Sequence, residues 1–153
     1  MASGRKCVKL RNGFLNPVEE TTLTIPSTAT KVITVGAYDA RFDQAAAFSG
    51  RGYTRATNQV KPDLVAPGVE IMSCAPGGGY QVRTGTSMAT PFVTGSAALL
   101  MQWGIVNGND AYLYGEKMKA YLIRGARKLP GFTVYPNPVL GWGALCTANS
   151  IPR

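Results

Sequence analysis

Histidine is absent from the 153 residues, so the side chain that most often takes a proton from a serine or cysteine nucleophile is not supplied by them. Acidic residues are scarce: 8 Asp and Glu stand against 16 Lys and Arg, a formal charge of +8. Such an excess raises a nucleic-acid or anionic-surface reading. The charges are scattered, however, and no basic motif is interleaved with aromatics, so no nucleic-acid partner is expected. Arg5, Lys6, Lys9 and Arg11 form the one N-terminal cluster, and Lys117, Lys119, Arg124, Arg127 and Lys128 mostly decorate one helix. The three cysteines, Cys7, Cys74 and Cys146, have neither metal-ligand spacing nor an even count. That argues against a disulfide framework and leaves small buried or half-exposed thiols. Long hydrophobic runs are missing as well. The longest, around residues 97–101, is far too short to span a bilayer, and no apolar stretch follows the basic N-terminus as a signal peptide requires. No membrane partner is expected, and there are no internal repeats or low-complexity tracts.

What is present, 45% hydrophobic residues over this length, suits one globular domain able to bury a core. Residues 31–37, Lys-Val-Ile-Thr-Val-Gly-Ala, are short, β-branched and bounded by turn residues, which predicts a strand buried on both faces of a parallel sheet. Residues 48–52 form a glycine-rich turn, and residues 61–68 a proline-bounded connection into a strand over 69–73. Asp63, between the prolines, is expected to satisfy local backbone donors. The glycines of 77–79 predict a hairpin or tight loop, and without a following Gly-Lys-Ser/Thr they are no phosphate-binding loop. Asn109-Asp110 predicts the cap of a second helix carrying Leu113, Met118, Tyr121, Leu122 and Gly125, and residues 127–131 end it. Residues 135–138 form a turn, and Trp103 and Trp142 read as packing residues.

The densest signal is Gly85-Thr86-Ser87-Met88-Ala89-Thr90-Pro91, followed by a small-residue helix from Phe92 to Gly104. A glycine turn thus delivers Ser87 to a helix N-terminus, where unpartnered backbone N–H groups and the positive end of the helix dipole stabilise a developing oxyanion. Pro91, about a turn inside, cannot donate to the Ser87 carbonyl. Taken locally, Thr86 can equally be an N-cap and Ser87 an ordinary first-turn residue.

This heptapeptide, continued by Phe-Val-Thr-Gly-Ser-Ala-Ala, resembles the nucleophile block of the subtilisin-like serine proteases, the subtilase family. The resemblance covers about residues 22–146. It implies an α/β fold, the C-terminal half of a parallel-sheet domain with a buried helix after the nucleophile. Ser87 would be the nucleophile and its own N–H an oxyanion donor. Val82, Arg83 and Thr84, with Gly85, resemble the strand lining the substrate cleft, where an arginine favours acidic or hydrogen-bonding substrate positions. Residues 31–37 resemble the strand after the family's oxyanion asparagine, and Gly-Trp-Gly at 141–143 a segment that closes many subtilase domains. Phe92 stands where many members carry a non-catalytic histidine.

The family's triad aspartate, triad histidine and oxyanion asparagine precede this region, so the implied partners are a peptide or protein substrate and the half-domain that carries them. Residues 1–21 resemble the exit of an insert in a clostridial branch that includes the Csp germination proteases, and residues 147–153 are read as a tail. A serine without its base loses orders of magnitude in rate, so these residues alone are expected not to cleave, to leave a sheet edge and the Ser87 helix uncovered, and to self-associate or bind the other half. Localisation is left open by these residues; the resemblance implies that a full-length bacterial protein would be secreted or associated with the spore or envelope. The alternative is a pseudoprotease, a peptide- or protein-binding module without catalysis. No cofactor is implied. Calcium stabilises many subtilases, but no ligand cluster in this sequence matches such a site.

Overall fold

The computed structural model describes residues 18–152. The N-terminal basic cluster, Cys7 and most of the expected insert exit lie outside them. The elements run β1 (Val35–Asp39), β2 (Gln44–Ala45), β3 (Leu64–Pro67), β4 (Ile71–Cys74), β5 (Tyr80–Arg83), α1 (Thr86–Met101), α2 (Gly115–Arg124) and α3 (Thr147–Ser150).

The β-branched stretch becomes β1, although the strand starts only at Val35. Just before it, the Thr34 N–H is taken by the Asp63 carboxylate, 2.7 Å away, and the Thr34 carbonyl by the Asp63 N–H at 2.8 Å. β1 pairs parallel with β3, from Val35↔Leu64 to Tyr38↔Pro67, and antiparallel with the short β2. On the far side of β3, the Val65 N–H reaches the Gly143 carbonyl at 2.9 Å and the Leu145 N–H reaches the Val65 carbonyl at 2.8 Å. Glycine is required there: Gly141 has φ +58, and a Cβ on it would lie 2.1 Å from the Pro62 carbonyl oxygen. Side chains leave the sheet alternately, as parallel strands buried on both faces demand. Ala37, Leu64 and Ala66 pack with Ala89, Val93 and Leu100 of α1 and with Met118 and Leu122 of α2. Tyr38 and Val65 pack with Leu129, Leu140 and Ala144.

The second expected strand is displaced to Ile71–Cys74 because Glu70 adopts φ +52 and gives its N–H to the Thr84 hydroxyl at 2.9 Å. β4 and β5 form a separate two-stranded hairpin. Cys74 on it is exposed rather than buried or half-exposed, while Cys146 is half-buried.

α1 runs on through a π turn, Gln102–Val106, closed by the Asn107 N–H on the Gln102 carbonyl at 2.9 Å. From Thr86 to Val106 this helix of 21 residues has a mean hydropathy of 1.2, so by length and composition alone it could cross a membrane. Counting unbroken apolar runs missed it, because threonine, serine and glycine interrupt the leucines. The expected burial holds along one stripe only. Ala89, Val93, Ser96 and Leu100 are buried against the sheet side, whereas Phe92, Leu99, Met101, Ile105 and Val106 are exposed.

α2 starts later than Asn109-Asp110, at Gly115. The Asp110 N–H is spent on the Gly104 carbonyl at 2.9 Å and its carbonyl on the Leu113 N–H at 3.2 Å, so residues 110–113 turn instead of starting a helix. Its carboxylate reaches forward into α2, to Lys117 Nζ at 2.6 Å and the Tyr121 hydroxyl at 2.9 Å. Tyr121 also meets Trp103 edge-on, with ring centroids 6.0 Å apart.

Candidate active site

A relay of backbone hydrogen bonds fixes the turn before Ser87. The Gly68 N–H donates to the Tyr38 carbonyl at 3.0 Å, the Gly85 N–H to the Gly68 carbonyl at 2.8 Å, and the Met88 N–H to the Gly85 carbonyl at 3.0 Å. Ser87 is thereby tied to the C-terminal ends of β1 and β3, where open α/β sheets place their ligand sites. Gly85 itself has φ +156 and ψ +163, a conformation L side chains rarely adopt. No side chain caps α1 and no acidic residue stands in its first turn. Among the described residues nothing accepts from the backbone N–H groups of Thr86 or Ser87. These two donors, with the dipole behind them, make a positive terminus open to an anionic oxygen.

The Ser87 side chain is exposed and, with Thr90, Pro91 and Thr94, lines an open hollow of about 450 Å³. The neighbouring hydroxyls are folded back onto the helix: Thr90 Oγ1 donates to the Thr86 carbonyl at 3.1 Å and Thr94 Oγ1 to the Thr90 carbonyl at 3.2 Å. Pro91 has no N–H to return to the Ser87 carbonyl. No described side chain forms a hydrogen bond with the Ser87 hydroxyl, and none acts as its base. Lys61 lies just before β3, at the opposite end of the strands from Ser87. Its Nζ is held 2.7 Å from the Asp63 carboxylate. Asp63 is buried there, accepts from Lys61 and the Thr34 N–H, and forms an ion pair with Lys119.

Of the cleft candidates, Val82 and Arg83 lie on β5 opposite Met72 and Ile71, and the Thr84 hydroxyl is occupied by the Glu70 N–H. Because the hairpin has two strands, one edge of β5 is unpaired among the described residues. An unpaired strand edge is a template for an extended peptide. The exposed Arg83 guanidinium approaches only Gln81 Oε1, at 3.3 Å, and has no carboxylate partner among the described residues. Arg41, Arg51 and Arg127, by contrast, are each paired with Asp or Glu.

Sequence reasoning missed a cleft of about 660 Å³ along the outer edge of β1, whose lining includes Thr22, Val35, Ser49, Arg51 and Thr86. The Ala37 N–H is satisfied there by Ser49 Oγ at 3.0 Å and its carbonyl by the Ala46 N–H at 3.1 Å. Val35, two residues earlier, presents its peptide to the same side and opens into the cleft. No local pattern marks it, since its walls come from segments far apart in the chain. Among the described residues no three His, Cys, Asp or Glu side chains come together as a metal-binding group.

The subtilase family model matches residues 12–143. The chain is 35% identical over 151 residues to the serine protease AprX of Bacillus subtilis, a match that takes in 86% of this chain and 32% of that protein. It is 42% identical over 80 residues to the subtilisin of Bacillus pumilus, covering 52% of this chain and 26% of the enzyme. Its fold superposes on the Clostridium perfringens CspB protease with a TM-score of 0.87 at 47% identity, over 92% of this chain and 30% of that one. The patellamide maturation protease PatA follows with a TM-score of 0.70 at 28% identity, over 87% of this chain and 46% of that one. The chain thus spans about a third of the length of AprX and of CspB.

Proposed function

Because the chain belongs to the subtilase family of serine proteases, we propose that Ser87 is a nucleophile of peptide-bond hydrolysis and that these residues form the serine-bearing part of a catalytic domain. Segments carrying an aspartate, a histidine and an asparagine complete it. The observation that carries the reading is the conjunction at Ser87 of an exposed, uncommitted hydroxyl with an open backbone N–H at a helix start. In the complete site a histidine takes the hydroxyl proton as Ser87 Oγ attacks the scissile carbonyl. The oxygen that becomes negative is held by the Ser87 N–H, the leaving amine receives the proton, and water then releases the acyl group. The peptide adds along the free edge of β5, and Arg83 favours an acidic or hydrogen-bonding residue beside the scissile bond.

Without histidine the 153 residues alone do not activate Ser87. A fluorophosphonate probe tests this. The isolated chain is expected to stay unlabelled, and the chain co-folded with the aspartate- and histidine-bearing part of a relative to label at Ser87 and to lose the label in Ser87→Ala. A folded, reconstituted domain that stays silent overturns the proposal. A second reading is a pseudoprotease that binds peptide or protein without cleaving it, the case if the completing segments lack the aspartate or the histidine. Saturable binding of peptides to the completed domain, left intact after long incubation, distinguishes it.

A further inference from the structure

A buried charge cluster at the start of the parallel strands, opposite the Ser87 end, has no part in that chemistry. The Asp63 carboxylate receives Lys119 Nζ on Oδ1 at 2.7 Å and, on Oδ2, Lys61 Nζ at 2.7 Å and the Thr34 N–H at 2.7 Å. Lys119 Nζ also reaches the Thr30 carbonyl at 3.0 Å and the Val32 carbonyl at 3.2 Å. With the Asp63 ion pair beside these two acceptors and its side chain 16% exposed, Lys119 keeps water within reach of its third proton. Lys61 Nζ has two acceptors among the described residues, Asp63 Oδ2 and the Val32 carbonyl at 3.0 Å. A neutral amine has two protons to give, and with Lys61 only 1% exposed water is not at hand for a third. Lys119, partly exposed, keeps its charge at the surface, whereas a second ammonium on Lys61 would be a like charge held out of water.

From this burial and donor count we propose that Lys61 gives up its third proton ahead of the exposed lysines, leaving a neutral amine beside a Lys119–Asp63 ion pair, and that protonating it is a switch that loosens α2 from the segments leading into β1 and β3. The cluster bridges all three: Lys119 lies on α2, Lys61 and Asp63 precede β3, and Thr30, Val32 and Thr34 precede β1. Other charges nearby are Lys31 and Glu116, 3.8 Å apart on the rim and largely exposed, so solvent screens them. Burial pushes the Lys61 ammonium below the ordinary lysine range; the Asp63 carboxylate opposes the shift and Lys119 reinforces it. The sign follows. Between its lowered folded pKa and the ordinary lysine value the unfolded chain binds more protons, so this group makes the fold more stable as pH rises through that interval. Its penalty is full below the folded pKa.

The test is an NMR titration of the lysine Nζ groups in the full chain, with unfolding by denaturant measured over the same pH range. Lys61 is expected to lose its ammonium signature at a clearly lower pH than the exposed lysines. Relative to Lys61→Met, wild-type stability is expected to rise as pH rises toward the ordinary lysine range and to be lowest below the folded pKa of Lys61. Titration of Lys61 together with the exposed lysines, or parallel stability curves for wild type and Lys61→Met, overturns the proposal. Should Lys61→Met fail to fold, the wild-type titration decides alone.

Discussion

Gly85 and Ser87 lie two positions apart and answer to different demands. Gly85 occupies φ +156 while its N–H and carbonyl hold both sides of the turn, so Gly85→Ala strains the backbone that seats the serine. We expect a loss of about 1–3 kcal/mol in denaturant unfolding, together with a loss of fluorophosphonate reactivity in the completed domain. Ser87→Ala removes an exposed hydroxyl with no described partner and is expected to leave the unfolding midpoint within about 0.5 kcal/mol of wild type while abolishing that reactivity. A large stability loss in Ser87→Ala would mean that the hydroxyl is structural, as an ordinary first-turn serine would be.

At the scale of elements, α2 is tied to the segment before it by a titratable link, and the hairpin stands apart from the parallel sheet. The Lys117 ammonium, then the Tyr121 hydroxyl, hold the Asp110 carboxyl below the usual carboxylate range against the opposing effect of burial. A lowered carboxylate pKa contributes stability above the ordinary aspartate value, and that contribution is lost as pH falls through the folded pKa. Acidification should therefore release the link between Asp110 and α2, and Asp110→Asn should flatten the acid limb of a thermal-stability curve. The β4–β5 hairpin is two-stranded, with Met72, Tyr80 and Val82 exposed, and such ribbons are marginal by themselves. Its amides are expected to exchange with solvent much faster than those of β1 and β3 in hydrogen-exchange mass spectrometry; equal protection would show that something covers the hairpin. The sequence disclosed the start of α1 and the existence of β1, because a glycine turn before a small-residue helix and a β-branched run are local signals. The start of α2 was misread because Asp110 bonds forward to Lys117 and Tyr121 rather than capping, and the partners of Lys61 were hidden because Lys119 arrives from far along the chain.

Across the whole molecule, two opposed features meet: an apolar helix face running from Phe92 to Val106 and a formal charge of +8. The face favours association and the charge resists it, with a reach of about 8 Å at physiological salt. Added salt should therefore raise the weight-average mass in sedimentation, and Leu99→Gln with Val106→Gln should reverse that rise without lowering the unfolding midpoint. A mass that ignores both changes would separate association from this face. A parallel sheet and the serine-bearing turn follow from the subtilase resemblance, whereas β3, whose residues read in sequence as a connection, and the cleft beside Val35 emerge only once distant segments are assembled. The relay from Tyr38 through Gly68 and Gly85 to Met88 is made wholly of peptide groups. Evolution can therefore rewrite most surrounding side chains without moving the serine, and a mutational scan should find tolerance broken mainly by proline and by loss of glycine. Replacing the Gly85 amide with an ester, which deletes one proton and no side chain, would strike the site harder than many conventional substitutions around it.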